Sequence, residues 1–124
     1  MKYNSPEALQ LQNDLGNFYG TEGYTKYMFG LLLTDGVRFL AEQAECFWLI
    51  DVVASILHDP KVKAQDFLTI KFARNDDENG SGTFTADDGN GNIVYTQKFN
   101  FTTFPLSEIK MFLTNNVLML TNEY

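Results

Sequence analysis

At 124 residues, with 44% apolar and 15% aromatic side chains, the chain carries enough apolar surface for one core, which excludes a disordered polypeptide and predicts a single domain over 1–124. Sixteen acidic against nine basic residues give a net charge of -7, and the densest basic pair, Lys61 and Lys63, sits beside Asp59 and Asp66, so direct nucleic-acid binding is disfavoured. A single cysteine, Cys46, excludes an internal disulfide, and the lack of a secretory leader pattern or a long apolar run predicts a cytoplasmic protein with no membrane contact.

Ser5, Pro6 and Glu7 read as a helix start, with a capping hydroxyl, a proline where no N–H is needed and a carboxylate near the positive end of the dipole. This helix is expected to reach about Leu15. Gly16, Gly20 and Gly23 mark a loop, and Tyr24 to Leu33 reads equally as strand or short helix. Thr34 and Asp35 are capping residues for a segment free of Gly and Pro from Val37 through His58, one long helix or two joined near Ala44. On a helical wheel Cys46, Leu49, Ile50, Val53, Ile56 and Leu57 share an inner face, and Trp48, Asp51, Ser55, His58 and Asp59 the opposite stripe.

Beyond Pro60 the apolar period changes to alternation. Leu68, Ile70 and Phe72 predict a half-buried strand, and a polar turn from Asn75 to Gly82 leads to a short strand at Thr83 to Asp87. Asp88-Gly89-Asn90-Gly91 reads as a reversal into the longest strand, Ile93 to Phe101, in which Ile93, Tyr95, Phe99 and Phe101 share a face. Ile109 to Leu113 and Val117 to Leu120 read as a hairpin around Asn115-Asn116, apolar on both faces and therefore central or covered by a second chain. The segment after it, Thr121 to Tyr124, is expected to stay ordered. The fold class that follows is α+β, with N-terminal helices packed on one face of a C-terminal antiparallel sheet, a meander.

Four sets of residues, Thr34-Asp35-Gly36-Val37 with Leu40-Ala41, Trp48-Leu49-Ile50-Asp51 with Ser55, Thr103-Phe104-Pro105-Leu106, and Asn122-Glu123-Tyr124, occur in one order. In these the chain resembles an uncharacterised bacterial domain family of unknown function, from about Phe18 to Tyr124. The resemblance implies one domain and carries no activity, cofactor or catalytic residue.

Asp51, Ser55 and His58 on one stripe superficially suggest a catalytic triad, but a solvated helix face explains them, because nothing resembles a nucleophile elbow or an oxyanion hole. Asp88, Asn90 and Asn92 imitate a calcium loop, yet Ile93 stands where glycine is required and Phe99 where a glutamate is, so no metal is expected. No cofactor is expected either. Trp48 needs cover from the first helix or from a partner, and with Asp51, Ser55 and His58 it forms the candidate binding stripe.

The leading expectation is a small acidic non-enzymatic module that binds a protein partner, possibly itself. A small enzyme using the carboxylates Asp35, Glu42 and Asp51 is the alternative from another class, and an acidic nucleic-acid mimic a third. Convergence of at least two of those acids on one concave volume would favour the enzyme.

Overall fold

The computed structural model describes residues 1–75 and 80–124. In chain order these form α1 (Pro6–Leu15), β1 (Thr25–Lys26), β2 (Leu32–Leu33), α2 (Asp35–Gln43), α3 (Phe47–Ile56), α4 (Pro60–Lys63), β3 (Phe67–Arg74), β4 (Gly82–Asp87), β5 (Ile93–Phe99), β6 (Glu108–Thr114) and β7 (Val117–Leu120). The class is α+β. Among the described residues no helix is long and apolar enough to cross a membrane.

The helix starts follow from their caps. The Ala8 amide donates to Ser5 Oγ at 3.2 Å, the Val37 amide to Thr34 Oγ1 at 3.3 Å and the Lys61 amide to Asp59 Oδ1 at 2.9 Å, each satisfying an orphan N–H of a first turn. The long apolar segment after Thr34 is two helices. Glu45 takes a left-handed φ of 52°, and the Cys46 amide reaches back to the Ala41 carbonyl at 3.0 Å, the six-to-one bond of a Schellman closure. Glycine usually fills that position, so a glutamate there hid the break. α3 ends at Ile56, which leaves His58 beyond the helix on whose stripe it was expected.

The sheet has seven strands in the order β1-β2-β7-β6-β3-β4-β5. β3, β4 and β5 do form a meander, but the expectation of a meander throughout is corrected in two places. β6 crosses to the far side of β3, pairing Leu68 with Leu113 and Phe72 with Ile109, and β2 pairs in parallel with β7, making the sheet mixed. The first correction has a packing cause. The segment between β5 and β6 buries Thr102, Phe104 and Leu106, and Arg74 Nη1 donates to the carbonyls of Thr102 and Phe104 at 3.2 and 2.9 Å, drawing the chain across the end of β3. The segment 24–33, ambiguous in sequence, supplies β1, β2 and an intervening 3-10 turn at Met28–Gly30.

Alternation sets the buried face. Leu68, Ile70 and Phe72 of β3, Phe84 and Ala86 of β4, Met111 and Leu113 of β6, and Leu118 and Leu120 of β7 join Val37, Leu40, Leu49, Ile50 and Val53 of the helices in one core cluster. Gly82 faces Phe72, and a Cβ there would collide with the ring, so this strand glycine marks a close approach. The β6–β7 hairpin turns through Asn115 and Asn116 at φ of 52° and 63°, the pair of positive values a two-residue turn requires. Its apolar strands lie inside the sheet, each flanked on both sides. The expected strand to Phe101 stops at Phe99, and part of the polar turn read at Asn75 to Gly82 lies outside the described residues.

Candidate functional site: the Trp48 groove and the helix stripe

Trp48 sits in the first turn of α3 and is half-buried. Its ring meets Phe72 edge-on at 5.1 Å, Phe99 at 5.5 Å and Phe104 at 6.4 Å, the tilted and T-shaped geometries that aromatic quadrupoles favour. The cover over Trp48 therefore comes from the end of the sheet and the segment after β5, and not from α1. Cover is incomplete. Trp48, Phe99, Phe101, Thr102 and Thr103 line an open, largely apolar groove of about 270 Å³, with Phe101 70% exposed at its lip. Arg74 fixes the far wall through the two carbonyls already named, and its guanidinium lies 4.2 Å over the Tyr3 ring.

The rest of the expected stripe disperses. Asp51 Oδ1 accepts from Tyr27 Oη at 2.5 Å, and Tyr27 stacks on Phe47 with ring centroids 6.1 Å apart. Burial, and then the Asp51 carboxylate it donates to, push the Tyr27 phenol up to about 12. Ser55 Oγ donates to the Val52 carbonyl of its own helix at 2.7 Å. His58 meets the edge of Phe29 at 5.8 Å. No hydrogen bond joins Asp51, Ser55 and His58 to one another, so the triad arrangement has no geometry among these residues.

The three candidate acids are held by different partners. Asp35 Oδ2 accepts from the Glu22 amide at 3.1 Å, Glu42 pairs with Arg38 one helical turn away at 2.8 Å, and Asp51 takes the Tyr27 hydroxyl. All three are exposed, and none lines the Trp48 groove. In the β4–β5 turn the Asp88 carboxylate accepts from the Asn92 side chain at 2.9 Å and from the Asn90 amide at 2.8 Å, bonds that hold its pKa below the usual carboxylate range. Its oxygens are spent on the turn itself. Among the described residues no group of three His, Cys, Asp or Glu side chains is placed to hold a metal ion.

Sequence reasoning missed Glu123. Its Oε1 accepts from Thr34 Oγ1 at 2.7 Å and from the Leu120 amide at 2.9 Å, and its Oε2 from the Gly36 amide at 3.1 Å. A carboxylate thus caps the N-terminus of α2 from 89 residues away, where the helix dipole favours negative charge. Gly36 leaves the space for it, because a Cβ there would lie 2.6 Å from both Glu123 Oε1 and Leu120 Cδ1. Asn122 Nδ2 donates to the Leu15 carbonyl at the end of α1 at 3.1 Å, and the Tyr124 ring packs on Phe67 and Phe112 on the outer face of the sheet. Two of the sequence motifs, around Thr34 and around Glu123, are therefore the two halves of one structural joint. The only signal for it in sequence was their joint presence.

A search of curated proteins and a search of solved structures found no match to this chain. A match does extend over residues 9–124 to a described family, so the residues around Thr34, Trp48, Phe104 and Glu123 all fall within it, and the chain belongs to the Family of unknown function DUF6876.

Proposed function

We propose that this chain is a non-enzymatic interaction module that self-associates, and that its contact face is the free edge of β5 with the adjoining Trp48 groove. The observation that carries the reading is the position of β5. It is last in the strand order, seven residues long, and bordered by exposed apolar side chains in Ile93, 60% exposed, and Phe101. Such an edge presents unpaired backbone groups to another strand unless charge, proline or a bulge blunts it; Lys98 is its only charged residue, and the bulge at Val94 lies at one end, leaving Tyr95 to Phe99 regular.

The occupant that fits is a second copy. An antiparallel pairing centred on Thr96 sets Tyr95 opposite Gln97 and brings the bulged end at Ile93 and Val94 toward Lys98 and Phe99 of the other copy, so no like charges face each other despite the net charge of -7. Ile93 of each copy then lies beside the groove of the other. An edge of this length buries less than the roughly 1,200 Å² of a standard interface, which predicts micromolar affinity. The hairpin β6–β7, which in sequence gave the motive for self-association, is interior to the sheet and supplies none.

The test is light scattering over a concentration series up to high micromolar. The parent is expected to shift toward dimer, and Thr96→Lys, exposed and at the centre of the pairing, to remain monomeric with an unchanged thermal melt because it sets two ammonium groups opposite one another. A parent that stays monomeric throughout, or a Thr96→Lys variant that dimerises equally, overturns the proposal.

A further inference from the structure

A second cavity, of about 260 Å³, opens between α4 and the β6–β7 turn. Its floor is apolar, made of Leu57, Val62, Leu68 and Leu113, all buried, with Phe29 as a side wall. Its rim is polar and carries both charges. Lys63 closes the last turn of α4, Asp66 lies in the link to β3, and Asn115 and Asn116 stand opposite on the hairpin turn. Among the described residues neither Lys63 nor Asp66 makes an ion pair, with each other or elsewhere. The two charges are separated by two residues of backbone and face one volume.

We propose that this cavity binds a free α-amino acid with an apolar side chain. A pocket of this size is just below the range that takes drug-sized ligands, and an apolar floor with a few convergent polar groups is the usual form of a small-molecule site. The ligand carboxylate is matched by the Lys63 ammonium, its ammonium by the Asp66 carboxylate, and its side chain by the leucine floor. The amide groups of Asn115 and Asn116 supply both donors and acceptors to either end of the zwitterion. An anion alone would leave Asp66 facing it unpaired, and a hydrocarbon alone would leave both rim charges without a partner in the ligand.

This site shares no lining residue with the Trp48 groove, and its test reads ligand binding and not self-association. Amide chemical shifts of the isotope-labelled full chain are followed during titration with L-leucine, L-methionine and L-phenylalanine. Saturable shifts confined to residues 57–68 and 113–116 are expected. The same titration with 4-methylpentanoate, which lacks the ammonium, and with 3-methylbutylamine, which lacks the carboxylate, is expected to show binding weakened by about tenfold or more, the loss of one charge-assisted bond. The exposed substitutions Lys63→Met and Asp66→Asn are expected to weaken L-leucine by a similar factor. Absence of saturable shifts with all three amino acids at millimolar concentration overturns the assignment. So does L-leucine affinity that is unchanged in both variants, or equalled by both truncated ligands.

Discussion

Replacing Glu123 by alanine removes a carboxylate that three donors share: the Thr34 hydroxyl, the Gly36 amide and the Leu120 amide. Hydrogen bonds to a charged group contribute about 1.5–3 kcal/mol each when buried, and roughly 1 kcal/mol is the fitting value for a side chain that is only half-buried. The favourable interaction with the positive end of α2 adds about 0.3–1 kcal/mol. The sum is about 3.5 kcal/mol, and for a chain of this size each kcal/mol moves the melting midpoint by about 3–5 °C, so a fall of about 10–18 °C is expected. Scanning calorimetry, or far-UV circular dichroism on heating, measures it. Glu123→Gln keeps one acceptor oxygen and is expected to lose about half as much. An alanine variant that melts within about 2 °C of the parent would refute the reasoning, because two bonds to the start of α2 and one to the Leu120 amide cannot vanish without cost if they form in solution.

Gly36→Ala tests the same joint by steric means. The added Cβ must displace Glu123 or Leu120, so a loss of about 1–3 kcal/mol is expected in urea unfolding, and less than additive loss when combined with Glu123→Ala. Trp48→Ala removes a half-buried ring packed on Phe72, Phe99 and Phe104, and a loss of about 2–3 kcal/mol, below that of a fully buried aromatic, is the expected result of the same assay. Tyr27 should ionise late when absorbance is followed to alkaline pH, with its midpoint near 12 and lower in Asp51→Asn. The sign follows from linkage. A phenol whose acidity is weakened in the folded state contributes stability that is fully present below about 10 and is lost as pH rises toward 12. Cys46, whose thiol burial pushes up to about 12, should resist thiol reagents until the protein is unfolded, and rapid labelling of the native chain would contradict its position under α2 and α3.

What could be read from sequence was governed by local patterns. Strands β3 and β4 alternate because one face of each meets the core, and Asn115-Asn116 announces its turn by the backbone those residues tolerate. The break between α2 and α3 was only half-legible, since Glu45 adopts a left-handed conformation without the usual glycine. β1 and β2 were legible only as an open choice between strand and short helix over Tyr24 to Leu33. Two residues carry no period, and these form a strand only because Val117 and Leu118 arrive beside Leu32 and Leu33. The candidate stripe shows the same divide. Periodicity placed Trp48, Asp51 and Ser55 on one side of a helix, but the side chains that cover or bind them, Phe99, Phe104 and Tyr27, belong to distant segments that no local pattern connects. Glu123 had only its place in a short motif to mark it for that reason.

The parallel pairing of β2 with β7 also sets the order in which the molecule can be made. During synthesis Leu31, Leu32 and Leu33 leave the ribosome long before Val117 and Leu118, and the Thr34–Glu123 bond joins positions 89 residues apart. Until residues 117–123 have emerged, the apolar strand β2 has no neighbour but the two-residue β1, and α2 begins without its distal cap. Closure of such long-range contacts is slow relative to helix formation, and the open strand is sticky while it waits. A nascent chain stalled at about residue 116 should therefore depend on chaperones and be cut readily near residue 32, whereas one stalled far enough downstream to expose Glu123 should resist the same protease.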